Sequence, residues 1–379
     1  MSEQSRIEQC LADPANGPSL LFFSGGSALD KTSSLLTKYT HNSIHLLTPF
    51  DSGGSSAKLR KAFNMPAVGD LRARLMAIAD DSLAGHPEAV ALFRYRLPAD
   101  LSQASLKKLV EQLQSGEHPL VEATSSTVKQ LIANNLRAFL NQVPDNFDFR
   151  GASVGNLVIT GGYLNNQCTL HQVVDQISEI VNALGIVRTT TNDNLELIAT
   201  LADGTTVSGQ HKITAKETHP LDQKIIDLVL SGPSSSLDEK NQALISHADL
   251  IIFPPGSFFS SVIANLLPKS VGNAIHESSK PKVFIPNLGT DPELYDTSLA
   301  EQIELLNQTI NRDLPESKQG KAVDIVLTDS TLRSDIDEAF NDYLSTKNIQ
   351  LLDVDLRGHH NDVYDEKKLI EALIKIARH

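Results

Sequence analysis

The sequence predicts an α/β fold: a mostly parallel sheet with helices on both faces, a helical insertion and a small antiparallel hairpin element. Three observations lead there. Short apolar runs of strand length, at 19–22, 43–48, 249–253 and 282–286, recur between segments with helical apolar spacing. Several of these runs stop in turns of small and hydroxyl-bearing residues that open into helices. The 379 residues are 40% hydrophobic and 21% charged, an ordinary globular composition with enough length for a large core. Length alone permits about two or three domains; the reading adopted is one elaborated α/β domain over 1–379. Its helical insertion falls at about 82–148 and its β-hairpin subdomain at about 186–214.

Residues 1–18 read as a polar lead-in ending at Gly17-Pro18. The first strand then runs into Ser24-Gly25-Gly26-Ser27, and a helix over 29–39 follows with Leu29, Leu35, Leu36 and Tyr39 on its apolar face. Glycines let backbone approach a ligand, and a helix N-terminus offers unpaired N–H groups, so this turn suits an anion. It equally suits a tight strand-to-helix turn. The second strand, 43–48, ends in Asp51-Ser52-Gly53-Gly54-Ser55-Ser56 before a helix over 57–63. Two such turns on successive parallel strands lie along one carboxyl edge of the sheet, where ligands of such sheets bind. A helix starts near Asp70, which is placed either to cap it or to face a ligand. Phe93, Tyr95 and Leu97 alternate as a short extended stretch inside the helical insertion, which caps the sheet or covers the site.

Gly151 to Leu157 is a third small-residue turn. The Gly161-Gly162 pair leaves 158–164 open between a strand and a close-packed helix. A wide apolar face predicts a helix over 169–184, stopped by Gly185. Residues 186–190, 195–201 and 206–210 are strand-like, with a hairpin turn at Asp203-Gly204. From Lys224 the α/β rhythm resumes: strands at 225–230, 249–253, 282–286, 322–327 and 350–354, with helices at 237–246, 258–267, near 331–344 and after Tyr364.

The formal charge of −13 and the absence of any Lys/Arg run argue against nucleic acid as a partner. Cys10 and Cys168 form neither a zinc spacing nor a redox pair, and suit ordinary thiols of a reducing cytosol. No signal peptide or membrane span is visible, so the expected location is cytoplasmic, away from membranes. Neither G-x-G-x-x-G nor G-x-x-x-x-G-K-[ST] occurs, which argues against a nicotinamide dehydrogenase and a P-loop ATPase. His359-His360 with Asp362 reads as a polar loop or a metal ligand set lacking a third partner. The turns at 24–27, 51–56, 255–257 and 287–291 share one style, and together favour a groove for diphosphate oxygens. Gly25, Gly26, Gly256 and Ser257 would hold the diphosphate. Asp51 and Asp70 are the candidate catalytic residues, Asp51 as a magnesium ligand or as general base toward an attacking hydroxyl and Asp70 in support.

The ordered set Gly25-Gly26-Ser27, Asp51-Ser52-Gly53-Gly54-Ser55-Ser56, Gly69-Asp70-Leu71-Arg72, Gly155-Asn156-Leu157, Asp203-Gly204, Pro255-Gly256-Ser257 and Asn287 with Thr290 resembles the family of 2-phospho-L-lactate transferase (CofD) and the gluconeogenesis factor YvcK. The likeness covers most of 19–295. It implies a Rossmann-like fold and a nucleoside-diphosphate or UDP-sugar ligand, with Gly53, Gly54, Ser55, Asn156, Asn287 and Thr290 added to the ligand-binding set. In the transferase branch a phosphate-ester group passes from a nucleoside diphospho donor to an alcohol with Mg2+. In the other branch a UDP-sugar is bound for regulation of metabolism, without established catalysis, and the 51–56 turn looks more like that branch. A homodimer is also implied. Ser27 and Ala28 stand where the family usually carries threonine and glycine. Ser52 replaces the second of two aspartates, Ala73 an asparagine, Ala152 a histidine and Asp291 a glutamine.

Overall fold

Burial on both faces explains why the first strands read as continuous apolar runs. In β1 (Leu20–Ser24) all five residues are buried, as are all four of β2 (Ile44–Leu47) and of β7 (Leu250–Phe253). The computed structural model of the chain describes residues 3–80, 82, 86–214, 222–330, 336–358 and 362–377, with backbone alone at 3, 4 and 27. With β3 (Ile186–Thr189), β8 (Lys282–Phe284), β9 (Ile325–Asp329) and β10 (Gln350–Val354), these strands form a seven-stranded sheet in the order β10-β9-β8-β7-β1-β2-β3. Every pairing in it is parallel, including Phe23 with Leu46 and Leu21 with Ile251. The chain builds outward from β1 to β2 and β3, then returns to β7 on the other flank of β1. The strand order therefore reverses between β1 and β7, and a crevice opens there at the carboxyl ends.

Alternate β1 residues face two cores. Leu21 and Phe23 meet Phe253, Phe259 and Ile303 on one face. Leu20 and Phe22 meet Leu36, Ile370 and Leu373 on the other. Residues near the N-terminus form a helix, Glu3–Ala12, rather than a polar lead-in. Its Ile7 and Cys10 are buried in that second core, and Arg6 donates to the Ala377 carbonyl at 3.0 Å.

The insertion is helical: Pro87–Arg94, Gln103–Ser115, Pro119–Glu122 and Ser126–Gln142. It shares a third core with Leu47, Val187 and the helices Gly69–Ala77, Val154–Asn165 and Leu170–Ile180. Phe93 lies inside a helix, and within 93–97 it is Arg96 that makes a strand-like bridge, to Ser153. The open choice at 158–164 resolves to helix. A Cβ at Gly161 would sit 1.8 Å from the Asn135 carbonyl oxygen, so the glycine pair allows two helix backbones to touch.

The antiparallel element differs from its expected composition. Ile186–Thr189 belongs to the main sheet, because Val187, Arg188 and Thr189 are all buried between β2 and the flanking helices. Its place is taken by β6 (Ile225–Leu230), which pairs antiparallel with β4 (Leu197–Leu201), and β4 in turn with β5 (Thr206–Ser208). Burial alternates along β4, as a one-sided sheet requires. Gly204 closes the β4–β5 turn at φ +84°. The helix expected near 331–344 spans Glu338–Lys347, and 331–335 lie outside the described residues, as do His359 and His360. Among the described residues no helix is long and apolar enough to cross a membrane.

Candidate functional site

The three loops that leave β1, β2 and β7 meet at the β1–β7 crevice around a polar cavity of about 150 Å3. Gly25, Gly26, Asp51, Asp70, Gly256 and Ser257 line it, with Ser24, Gln210 and Ser261.

The first loop has no room for side chains. A Cβ on Gly25 would lie 2.2 Å from Ser261 Oγ, and one on Gly26 would lie 2.1 Å from Asp70 Oδ1. The loop is also held from behind. Buried Arg74 donates through one terminal nitrogen to the carbonyls of Gly25 (3.1 Å) and Gly26 (2.8 Å), and through the other to Ser33 Oγ. A trans peptide points its N–H opposite its C=O, and no cis bond occurs among the described residues. The amides of Gly26 and Ser27 therefore point away from Arg74. Asn265 closes the strand end by donating to the Ser24 carbonyl at 2.9 Å. Burial lowers the pKa of Arg74 to about 10, against the raising charges of Asp30 and Asp70. The side chain of Ser27 lies outside the described residues.

In the second loop Asp51 Oδ1 accepts the Gly53 amide at 3.0 Å, an Asx turn that orients the carboxylate. Its Oδ2 lies 3.4 Å from where a Gly69 Cβ would stand, and Ser56 Oγ lies 2.5 Å from the same point. Gly69 thus lets the 69–70 helix start press against this loop and brings Asp70 to the wall opposite Gly26. Arg60 fixes the loop from below through the carbonyls of Phe50 (3.1 Å) and Asp51 (3.2 Å). Ser52 Oγ is 2.7 Å from His211 Nδ1 and accepts the His211 amide at 3.1 Å. That pair ties the loop to the short helix Gln210–Ile213, which follows β5 and carries Gln210 to the cavity.

The third loop turns at Gly256, with φ +143°. Asn287 accepts its amide and donates to its carbonyl, both at 2.8 Å. A π-helical turn, Phe258–Ile263, follows, but its N-terminus is already filled by the chain's own carboxylates. Asp291 accepts the Phe258 amide at 2.8 Å. Glu293 accepts those of Phe259 (2.8 Å) and Ser260 (2.9 Å) and the Ser260 hydroxyl. Burial, then the Asp291 charge, push the Glu293 carboxyl up to about 7 despite these three donors. An anion here has the Gly256–Ser257 turn to meet rather than the helix end.

Other expected residues stand back from the cavity. Asn156 is buried, accepting from Arg72 Nε at 2.9 Å and donating to Ser55 Oγ at 3.1 Å. Gly53 shapes the Asp51 turn, and Gly54, exposed at φ +49°, opens the helix Gly54–Phe63. Asn287 acts through Gly256, and Thr290 is exposed on its loop, outside the cavity lining. Sequence reading missed Arg74, Gln210, Ser261, His211 and Glu293. Arg74 carried a signal, since it stands one helical turn after Asp70, and Ser261 stands one turn after Ser257. Gln210 and His211 carried none, because only tertiary contact brings them to β2.

Among the described residues no group of three or more His, Cys, Asp and Glu could hold a metal ion. Asp51 and Asp70 on one small polar cavity still suit Mg2+, which binds one or two carboxylates and completes its shell with phosphate oxygens and water.

The model for the family described as 2-phospho-L-lactate transferase CofD matches residues 20–369. A Bacillus subtilis protein called a gluconeogenesis factor is 26% identical over 295 residues, covering 77% of this chain and 74% of its own. A Thermotoga maritima protein with the provisional form of that name is 26% identical over 324 residues, covering 85% and 81%. For an Aquifex aeolicus protein of the same provisional name the identity is 28% over 249 residues, and the match spans 65% of this chain but only 59% of that protein. A solved structure of a UPF0052-family protein from Bacillus halodurans superposes with a TM-score of 0.68 at 20% identity, covering 95% of this chain and 99% of that one, which establishes the shared fold. With the family match running through nearly every element that builds the crevice, the chain belongs to the CofD family.

Proposed function

We propose that the chain binds a nucleoside diphosphate at the β1–β7 crevice and transfers a phosphate-ester group from a nucleoside diphospho donor to an alcohol. One observation carries this reading: Arg74 ties back the carbonyls of the first loop, while two carboxylates, Asp51 and Asp70, stand on the same small cavity. Turned-out amides suit phosphate oxygens, and the carboxylates suit a shared cation or a proton acceptor. The acceptor oxygen attacks the ester-bearing phosphorus, the phosphoanhydride P–O bond breaks, and the nucleoside monophosphate leaves with that bond's electrons. Asp51 either takes the proton from the attacking hydroxyl or binds the cation, and Asp70, packed against Gly26, supports it. Mg2+, held by Asp51 and Asp70 when bound, would neutralise charge on the phosphates.

A second reading, a binding protein for a UDP-sugar without catalysis, draws on Ser52. A hydroxyl engaged by His211 stands where the family usually has a second acid. Thermal-shift titration with GDP and with UDP-sugars, each with and without Mg2+, separates the two. Metal-dependent stabilisation by GDP is expected for transfer chemistry, and metal-independent stabilisation by UDP-sugars for the second reading. Asp51→Asn should abolish the metal-linked shift while leaving the fold intact. Normal metal-dependent nucleotide binding by that variant would remove Asp51 from its assigned role.

A further inference from the structure

No basic run exists in the sequence, yet folding brings Arg94 and Arg96 within electrostatic reach of Arg72, on the helix that supplies Asp70 to the cavity wall. Arg72 follows Asp70 by two residues, and its stem crosses Gly155, where a Cβ would lie 2.7 Å from Arg72 Cδ. The same Cβ would lie 2.5 Å from the Phe93 carbonyl oxygen, so the segment carrying Arg94 and Arg96 runs alongside. Arg96 pairs through its backbone with Ser153, and Arg94 donates to the Met76 carbonyl at 2.6 Å. Arg72 uses Nε on Asn156, which is itself fixed by Ser55 of the second loop. Among the described residues, no acceptor meets its two terminal nitrogens. Asp30 and Asp70 are the acidic groups that act on it, against Arg96 and Arg94.

We propose that Arg72, oriented by Asn156 and reinforced by Arg94 and Arg96, is an anion subsite next to the diphosphate cavity that receives a second oxyanion, a carboxylate or phosphate of the bound ligand. A guanidinium whose Nε is already fixed presents its remaining donors in a planar fork, which matches either oxyanion. Burial, then the charge of Arg96, lower the pKa of Arg72 to about 10, so like charges crowd there and an arriving anion relieves them. The subsite rests on the crevice being the ligand site, but it is tested without a nucleotide.

The test is thermal-shift and calorimetric titration of the full chain with sodium pyrophosphate and with malonate, at fixed ionic strength. Wild type, Arg72→Gln, Arg72→Lys and Arg96→Gln are compared. At least one of the two anions should stabilise wild type, pyrophosphate alone pointing to a phosphate and malonate alone to a carboxylate. Arg72→Gln should weaken that binding tenfold or more, Arg72→Lys should recover part of it, and Arg96→Gln should weaken it less. Circular dichroism of Arg72→Lys controls for folding. The subsite is refuted if neither anion stabilises wild type, or if folded Arg72→Gln binds as wild type does. If Arg72→Gln is silent while Asp51→Asn loses the metal-linked nucleotide shift, only the subsite fails.

Discussion

Arg74→Met is the most informative single change. Met keeps the length and apolar stem of the side chain and removes its donors. In the wild type one terminal nitrogen serves two loop carbonyls, at 3.1 and 2.8 Å, and the other serves Ser33. Carbonyls left buried without a donor cost about 1–3 kcal/mol each. Removing one member of a buried charged set costs about 3–5 kcal/mol when it strands the partner. Here the partner is only partly stranded: Asp30 Oδ1, 3.9 Å from Arg74, is buried without a hydrogen-bond partner, while 39% of the side chain stays exposed to water. Relief of the guanidinium's own burial offsets a further part, so the lower end applies, about 3 kcal/mol. Urea unfolding reads that loss. The second effect is on the site: freed carbonyls rotate toward the cavity, and nucleoside-diphosphate affinity falls tenfold or more by calorimetry. Arg74→Lys should rescue part of the stability and little of the affinity, since one ammonium cannot hold both carbonyls and Ser33 in the same fork. A folded Arg74→Met with stability within about 0.5 kcal/mol of wild type, the scale of an ordinary surface change, would refute the bracing role. Wild-type nucleotide affinity would refute the link to the site.

Gly161→Ala should destabilise by roughly 3 kcal/mol, the upper range for overpacking, because the obstructing atom is backbone carbonyl rather than a flexible side chain. Chemical denaturation checks this, and a loss below 0.5 kcal/mol would mean the two helices separate at little cost. Glu293 gives a pH dependence. Its folded pKa of about 7 stands above the ordinary 4.5. The unfolded chain therefore releases this proton first, so the stability it contributes is complete below pH 4.5 and is lost as pH rises through about 7. Stability should fall across that window by up to about 1.4 kcal/mol per pH unit, and Glu293→Gln should flatten the profile. An identical slope in the variant would assign the titration elsewhere.

What the sequence made legible was periodic or covalently local. Leu20 to Phe23 and Leu250 to Phe253 are apolar without a break because both sheet faces are covered, and that pattern survives without knowledge of what covers them. Strand-end turns were legible for the same reason, since Gly25, Gly53 and Gly256 lie beside the strands they end. What escaped was decided between segments far apart in the chain. Val187 and Ile225 are equally strand-like, and only packing sends one to the edge of the parallel sheet and the other to an antiparallel partner. The reason for each glycine escaped too. Gly25 and Gly26 read as letting backbone approach a ligand or as a tight turn, and neither has a positive φ. They are glycine because Ser261 and Asp70 occupy the space a side chain would need. The helix end after β7 shows the limit most sharply. Its predicted attraction for an anion is real, but Asp291 and Glu293, more than thirty residues downstream, satisfy it from within the chain. Charge available to a ligand at this crevice is therefore what remains after the fold has used its own carboxylates. The remainder lies with the Arg74-braced first loop and Arg72.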